Sequence, residues 1–262
     1  MQSIFSLKNK TVFITGGAGL MGTMHAEAIV EFGGTAIIAD IDEVAAAATA
    51  KKINKKYDCN RAHSVYVDVV DKASILAALK NFPHTNVLIN NAAKNPKVES
   101  SLKETTTFSK MTADTFREGI DITLTGTFLC SQIFCSKFVQ DGQGVILNIS
   151  SDLGVIAPDQ RIYSDNKKPI TYSAAKFGIV GMTKYLATYF AENNIRVNCI
   201  SPGGIYNEKL PKEFVGKLAN LIPMGRMANK DEYKGAVVFL CSDASSYMTG
   251  ENMIINGGRA AW

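Results

Sequence analysis

A chain of 262 residues with 46% hydrophobic and 20% charged side chains has the composition of an ordinary globular protein and ample apolar material for a core. Its net charge of +4 comes without a dense basic run, which argues against nucleic acid as a partner. The five cysteines are scattered without metal-ligand spacing, the N-terminus lacks a signal-peptide core, and no stretch is read as membrane-spanning, so reduced thiols, no metal, no membrane and a cytoplasmic location are expected.

Short runs rich in Val and Ile predict strands at Thr11–Thr15, Thr35–Ala39, Ser64–Val67, Val87–Asn90, Val145–Ile149, Arg196–Ile200 and Met253–Ile255. Between them, helical periodicity predicts Leu20–Glu31, Asp42–Lys56, Lys72–Asn81, Thr112–Phe138, Thr171–Glu192 and Lys230–Ser242. Strands apolar on both faces, alternating with helices, predict an α/β fold. The expected architecture is a doubly wound parallel sheet of about seven strands (a Rossmann fold) with helices on both faces, in one domain spanning residues 1–262.

The first strand runs into Thr15-Gly16-Gly17-Ala18-Gly19-Leu20-Met21-Gly22 and then a helix. Gly17, Gly19 and Gly22 satisfy G-x-G-x-x-G, which lets backbone approach a pyrophosphate while the helix N-terminus offers N–H donors. The second strand ends near Asp40, eighteen residues after Gly22, where a carboxylate can accept from the adenosine ribose hydroxyls and repel a 2′-phosphate. NAD is therefore favoured over NADP. Asp40 or Asp42 could instead cap the next helix; Asp40 is assigned to the ribose.

Tyr172-Ser173-Ala174-Ala175-Lys176 places a tyrosine and a lysine four apart, on one helical face. A free phenol titrates near pH 10, and a close ammonium favours its phenolate, so the pair is a candidate acid/base. The same spacing occurs on any exposed helix and carries little weight alone.

Together these motifs resemble the short-chain dehydrogenase/reductase family in its compact single-domain branch. The likeness adds Asn90-Asn91-Ala92-Ala93, Asn148-Ile149-Ser150-Ser151, Ser201-Pro202-Gly203-Gly204, Phe239–Asp243, Met248-Thr249-Gly250 and Gly257-Gly258, in the right order. It implies Ser151 as the serine that holds the substrate oxygen, with Gly154 three residues on. Tyr172 would be the acid/base and Lys176 the group that binds the nicotinamide ribose. The cofactor set it implies comprises Gly16, Gly17, Gly19, Leu20, Met21, Gly22, Asp40, Ile41, Asp68, Val69, Asn90, Ala92, Tyr172, Lys176, Pro202, Gly203, Ile205 and Asn207. Asp68 would contact the adenine and the Ile205 backbone the carboxamide. A small-molecule substrate and a homodimer or homotetramer are likewise implied.

Several positions depart from the pattern. Thr123 stands where the family has an asparagine in the proton relay, and its shorter hydroxyl predicts an altered relay. Leu20 replaces the middle glycine, so the turn also reads G-x-x-G-x-x-G, and Asn207 replaces a threonine. Ser151 and Tyr172 are twenty-one positions apart, more than is usual. The extra residues define a substrate-loop insertion at 155–170, and residues 206–223 a lid.

Lys94, Lys97, Arg161, Lys167, Lys209 and Lys212 lie in the segments expected around the entrance. Either they attract an anionic sugar derivative, or they are solvated loop charges. Lys94, Arg161 and Tyr206 are the candidate substrate contacts. The insertion and the Gly-Gly-Arg ending are also similar to family members attached to bacterial surface-sugar pathways. The expected function is NAD(H)-dependent interconversion of a secondary alcohol and a ketone on a polar or anionic sugar derivative. The alternatives are an NAD-binding regulatory or scaffold protein, and an epimerase or dehydratase using internal hydride transfer.

Overall fold

A computed structural model describes residues 3–94, 107–163 and 167–262. Its seven strands are β1 (Thr11–Thr15), β2 (Thr35–Asp40), β3 (Ala62–Tyr66), β4 (Val87–Asn90), β5 (Gly144–Ile149), β6 (Ile195–Pro202) and β7 (Asn252–Ile255). They form one sheet in the order β3-β2-β1-β4-β5-β6-β7, every pair parallel. The strand order reverses between β1 and β4, and in such sheets ligands bind outside the carboxyl ends of the strands at that point.

Successive strand residues face opposite layers, so a strand covered on both sides must be apolar throughout. Val12 and Ile14 of β1 enter one core with residues of helices α1 (Leu20–Glu31) and α2 (Glu43–Tyr57). Phe13 enters the other with residues of α3 (Lys72–Asn81) and α4 (Ala113–Asp141), its ring 5.0 Å from that of Phe134. The second core also takes Ala187 from α5 (Ile170–Tyr189), and the first takes Val237, Val238 and Leu240.

The helix ends explain most differences from the expected boundaries. Asp42 is the N-cap of α2, accepting the Ala45 N–H, so the helix proper starts one residue later than predicted. α4 runs on to Asp141, where Gly142 adopts φ +70° and closes it. Within α4, Asp121–Thr125 form a π turn, which apolar periodicity does not reveal. By length and composition α4 could cross a membrane, contrary to the expectation that no stretch would, but half of its most apolar window is buried inside the protein.

The segment read only as a lid contains a short helix, α6 (Lys212–Ala219). The last predicted helix opens as a 3₁₀ turn, Lys230–Tyr233, held by an Asn229/Glu232 capping box, before α7 (Lys234–Cys241). All five cysteines are free thiols, four of them buried.

Candidate active site

The glycine turn is dictated by close approach. A Cβ on Gly22 would lie 2.2 Å from the Gly16 carbonyl oxygen and 2.6 Å from Gly17 Cα. Gly16 has φ +61°, and a Cβ there would sit 2.8 Å from Ala92 Cα. The strand end β4 presses on this turn: Asn91 Nδ2 donates to the carbonyls of Thr15 and Gly16, and Thr15 Oγ1 accepts from the N–H groups of Asn91 and Ala92. Asn91, to which the sequence motif assigns no role, staples the turn to the sheet. The N-terminus of α1 has no side-chain cap, which leaves first-turn N–H groups at Leu20, Met21 and Gly22 for an anion. These residues fit a dinucleotide pyrophosphate.

Asp40 ends β2 beside this turn. Its Oδ2 accepts the Ala18 N–H at 2.9 Å and its Oδ1 the Asp42 N–H at 3.1 Å. Asp42 takes the capping role, its Oδ1 accepting the Ala45 N–H. Ile41, beside Asp40, is exposed. Asp68, just beyond β3, accepts the Val70 N–H through Oδ1, and the following Val69 packs on Gly126 of α4.

A buried amide chain joins the central strands to the helices behind them. Asn90 Nδ2 donates to Ser131 Oγ at 3.0 Å and to Asn148 Oδ1 at 2.9 Å, and Asn148 Nδ2 donates to Thr183 Oγ1. Asn90 thus links β4, β5 and α4, and its own Oδ1 is buried without a partner among the described residues. Thr123 is buried in the π turn, where its Oγ1 accepts the Lys94 N–H at 3.0 Å. Lys94 itself is exposed.

Ser151, Tyr172 and Lys176 converge where β5 ends and α5 begins. Gly154 explains the approach: a Cβ there would meet Ser150 Oγ at 2.4 Å and the Lys176 carbonyl oxygen at 2.7 Å. Ser150 Oγ donates to that same carbonyl. Ser151 Oγ accepts the Leu153 N–H at 3.1 Å and donates to Asp152 Oδ1 at 3.1 Å. Lys176 Nζ is buried and donates to the Ile149 carbonyl at 2.7 Å, keeping two of its three donors for other partners. Burial lowers its ammonium to about pH 8.

The expectation that Lys176 would depress the Tyr172 phenol is not met by the protein's own groups. Burial raises the phenol, hydrogen bonding with Ser151 opposes this, and the Asp152 carboxylate raises it further. The physical reason is geometric, because Lys176 Nζ is turned toward the Ile149 carbonyl and lies 5.9 Å from the ring centroid.

A second ammonium lies closer. Lys168, buried in the insertion before α5, stands 3.8 Å from the Tyr172 ring centroid, and burial lowers it to about pH 8. Sequence reasoning named its neighbour Lys167, which is exposed. Lys168 carried one signal, its place four residues before Tyr172 on the far side from Lys176. The exposed guanidinium of Arg161 is held by Asp159 in two bonds of 2.9 and 2.7 Å. Lys97 lies outside the described residues.

The insertion and the lid pack on each other. Ile162 joins Leu218, Ile222 and Met227 in a small apolar cluster, and the rings of Tyr163 and Phe214 are 5.7 Å apart. After β6, Pro202 is followed by Gly203, whose N–H bonds the Ile255 carbonyl and whose Cβ position is filled by Asn256. Ile205 pairs with Ala228 in a single bridge, and Tyr206 is exposed beside it. Asn207 uses its side-chain oxygen to accept the Lys209 N–H, an internal turn bond.

The family model described as enoyl-(acyl carrier protein) reductase matches residues 17–260. A 3-oxoacyl-(acyl-carrier-protein) reductase of Aquifex aeolicus is 32% identical, covering 96% of this chain and 98% of its own. An NAD-dependent glycerol dehydrogenase of Listeria innocua is 33% identical, covering 97% of this chain and 95% of its own. Among solved structures, a short chain dehydrogenase of Leptospira borgpetersenii with bound NAD+ superposes with a TM-score of 0.85 at 33% identity, covering 99% of this chain and 96% of that one. The matched span contains Gly17, Gly19, Gly22, Asp40, Ser151, Tyr172 and Lys176, and the sheet order is that of a doubly wound dinucleotide-binding fold. The chain belongs to the short-chain dehydrogenase/reductase family.

Proposed function

We propose that the protein is an NAD(H)-dependent oxidoreductase that interconverts a secondary alcohol and a ketone on a polar, polyhydroxylated sugar derivative. The observation that carries this reading is the meeting of Ser151, Tyr172 and Lys176 at the carboxyl ends of the central strands, on the side of the sheet that holds the glycine turn. A bound nicotinamide would supply or accept the hydride. The chain's own residues would do the rest. Ser151 Oγ holds the substrate oxygen, and Tyr172 Oη takes the alcohol proton or returns it to the ketone. Lys176, anchored at the Ile149 carbonyl, binds the nicotinamide ribose with its remaining donors.

NAD over NADP rests on Asp40, whose carboxylate stands beside the turn and would repel a 2′-phosphate. The polar substrate class is supported by Lys168 and Asp152 in the site and by the glycerol specificity in the name of one relative. The packed insertion at 155–170 and lid at 206–223 are assigned to substrate selection. A cytoplasmic homo-oligomer is the expected form, with Phe128 of α4 and Phe177, Tyr185 and Tyr189 of α5 exposed on its outer helices. The test is a spectrophotometric screen of polyols, sugars and sugar phosphates with NAD+ and NADP+ in parallel. Oxidation of one class with NAD+ supports the reading, and strong preference for NADP+ overturns the role of Asp40.

A further inference from the structure

Asp152, the residue after Ser151, is buried and bridges two partners. Its Oδ1 accepts the Ser151 hydroxyl at 3.1 Å, and its Oδ2 accepts Arg259 Nη1 at 2.9 Å. The two side chains of this ion pair are 4% and 6% exposed. Arg259 arrives from the segment after the edge strand β7, two strands from β5 and 107 residues on in sequence. Gly257 and Gly258, with φ of +66° and +90°, bend the backbone after β7, and Asn256 Oδ1 accepts the Gly258 N–H to fix the bend.

A buried ion pair is weak evidence for a stabilising role, since replacing both partners together is often neutral while removing one strands the other's charge. What distinguishes this pair is its position. Among the described residues, the groups that face the Tyr172 phenol are Ser151 and Asp152 from the turn after β5, Tyr163 and Lys168 from the insertion, and Lys176 from α5 itself. Asp152 is the one carboxylate among them, and Arg259 is bonded directly to it.

We propose that Arg259 is a positioning residue for the reaction, acting through Asp152 to hold the Ser151 hydroxyl and to offset the carboxylate charge beside the Tyr172 phenol. This inference rests on the reading of Tyr172 as the acid/base. With Arg259 in place, Asp152 accepts the serine hydrogen as one half of a balanced pair. Without it, the buried carboxylate becomes an uncompensated anion next to a group that must itself become anionic, and the phenolate is disfavoured. Without Asp152, the guanidinium loses the carboxylate bonded to it and the phenolate is favoured.

The two single substitutions must therefore move the phenol in opposite directions, which a loss of packing would not do. The measurement is an ultraviolet difference titration of tyrosinate, each protein read against the same protein carrying Tyr172→Phe. Arg259→Gln should raise the Tyr172 midpoint by about one pH unit and Asp152→Asn should lower it, while the double variant returns near the native value. Arg259→Lys, which keeps the charge, should stay near native. If Arg259→Gln does not fold, the double variant is compared with Asp152→Asn, and removing the guanidinium must still raise the midpoint. Single variants that shift together, or a midpoint that ignores both, overturn the proposal. Oxidation of xylitol, D-threitol and glycerol with NAD+ is followed alongside. Native turnover with an unmoved phenol overturns this inference alone, whereas opposite phenol shifts with no turnover on any polar alcohol overturn the functional reading.

Discussion

The Lys168 ammonium lies 3.8 Å from the centroid of the Tyr172 ring, against 5.9 Å for Lys176. One of the two cations belongs to the family's helix motif and the other to the lengthened loop before it. An ammonium over an aromatic face is attracted by the ring and favours negative charge on its oxygen. Lys168→Met is expected to move the rising limb of the kcat/KM pH profile upward and to lower kcat/KM at pH 7 about 10-fold. An unchanged profile would confine Lys168 to packing.

Gly22 has no room for a side chain, because its virtual Cβ meets only backbone atoms of Gly16 and Gly17. Gly22→Ala is expected to destabilise the fold by about 1–3 kcal/mol and to weaken NADH binding at least about 10-fold. Gly235→Ala in α7, where the Cβ meets open space, should stabilise by about 0.5–1 kcal/mol instead. Thermal melts and fluorescence titration with NADH read both.

Asp40 supports the glycine turn through the Ala18 N–H and faces the position assigned to the ribose. In Asp40→Asn the amide keeps an acceptor but loses the charge that repels a phosphate. The ratio of kcat/KM for NAD+ over NADP+ should fall about 100-fold, with most of the change in KM. A ratio unmoved by the substitution would remove the basis for the NAD assignment.

His25 lies buried in α1, and burial lowers its imidazole to about pH 4, the Asn91 side chain partly opposing. The unfolded chain binds this proton near pH 6.5, so its stability contribution is present above that value and is lost as pH falls toward 4. At pH 5 the loss should be about 2 kcal/mol relative to pH 7. In urea titrations at the two pH values, His25→Met should show that much less acid sensitivity than the native protein. Equal sensitivity would contradict the assignment.

The parts legible in the sequence are those set by local rules. Strands such as Val12–Ile14 and Val145–Ile149 read from their apolar runs, and the glycine turn from spacing alone. Lys168 was hidden because its neighbour Lys167 has the same chemistry, and only the packed loop decides which one turns inward. The Asp152–Arg259 pair joins residues far apart in sequence, and nothing in either segment announces the other. The pairing of Arg161 with Asp159 is a local feature legible in sequence, an aspartate two residues earlier able to take both its forks. The π turn around Thr123 spans only five residues inside a long apolar helix, too short to stand out in the periodicity.

The account stands most directly on Tyr172 as the group that exchanges a proton with the substrate while hydride moves. The decisive measurement is NADH formation from NAD+ across a panel of polyols and sugar derivatives, with native protein and with Tyr172→Phe at equal NADH-binding capacity. The account predicts turnover by the native protein on a polar secondary alcohol, and a loss of about 10²–10⁴-fold in kcat in the variant with NADH affinity kept. Equal turnover by the two proteins would contradict it.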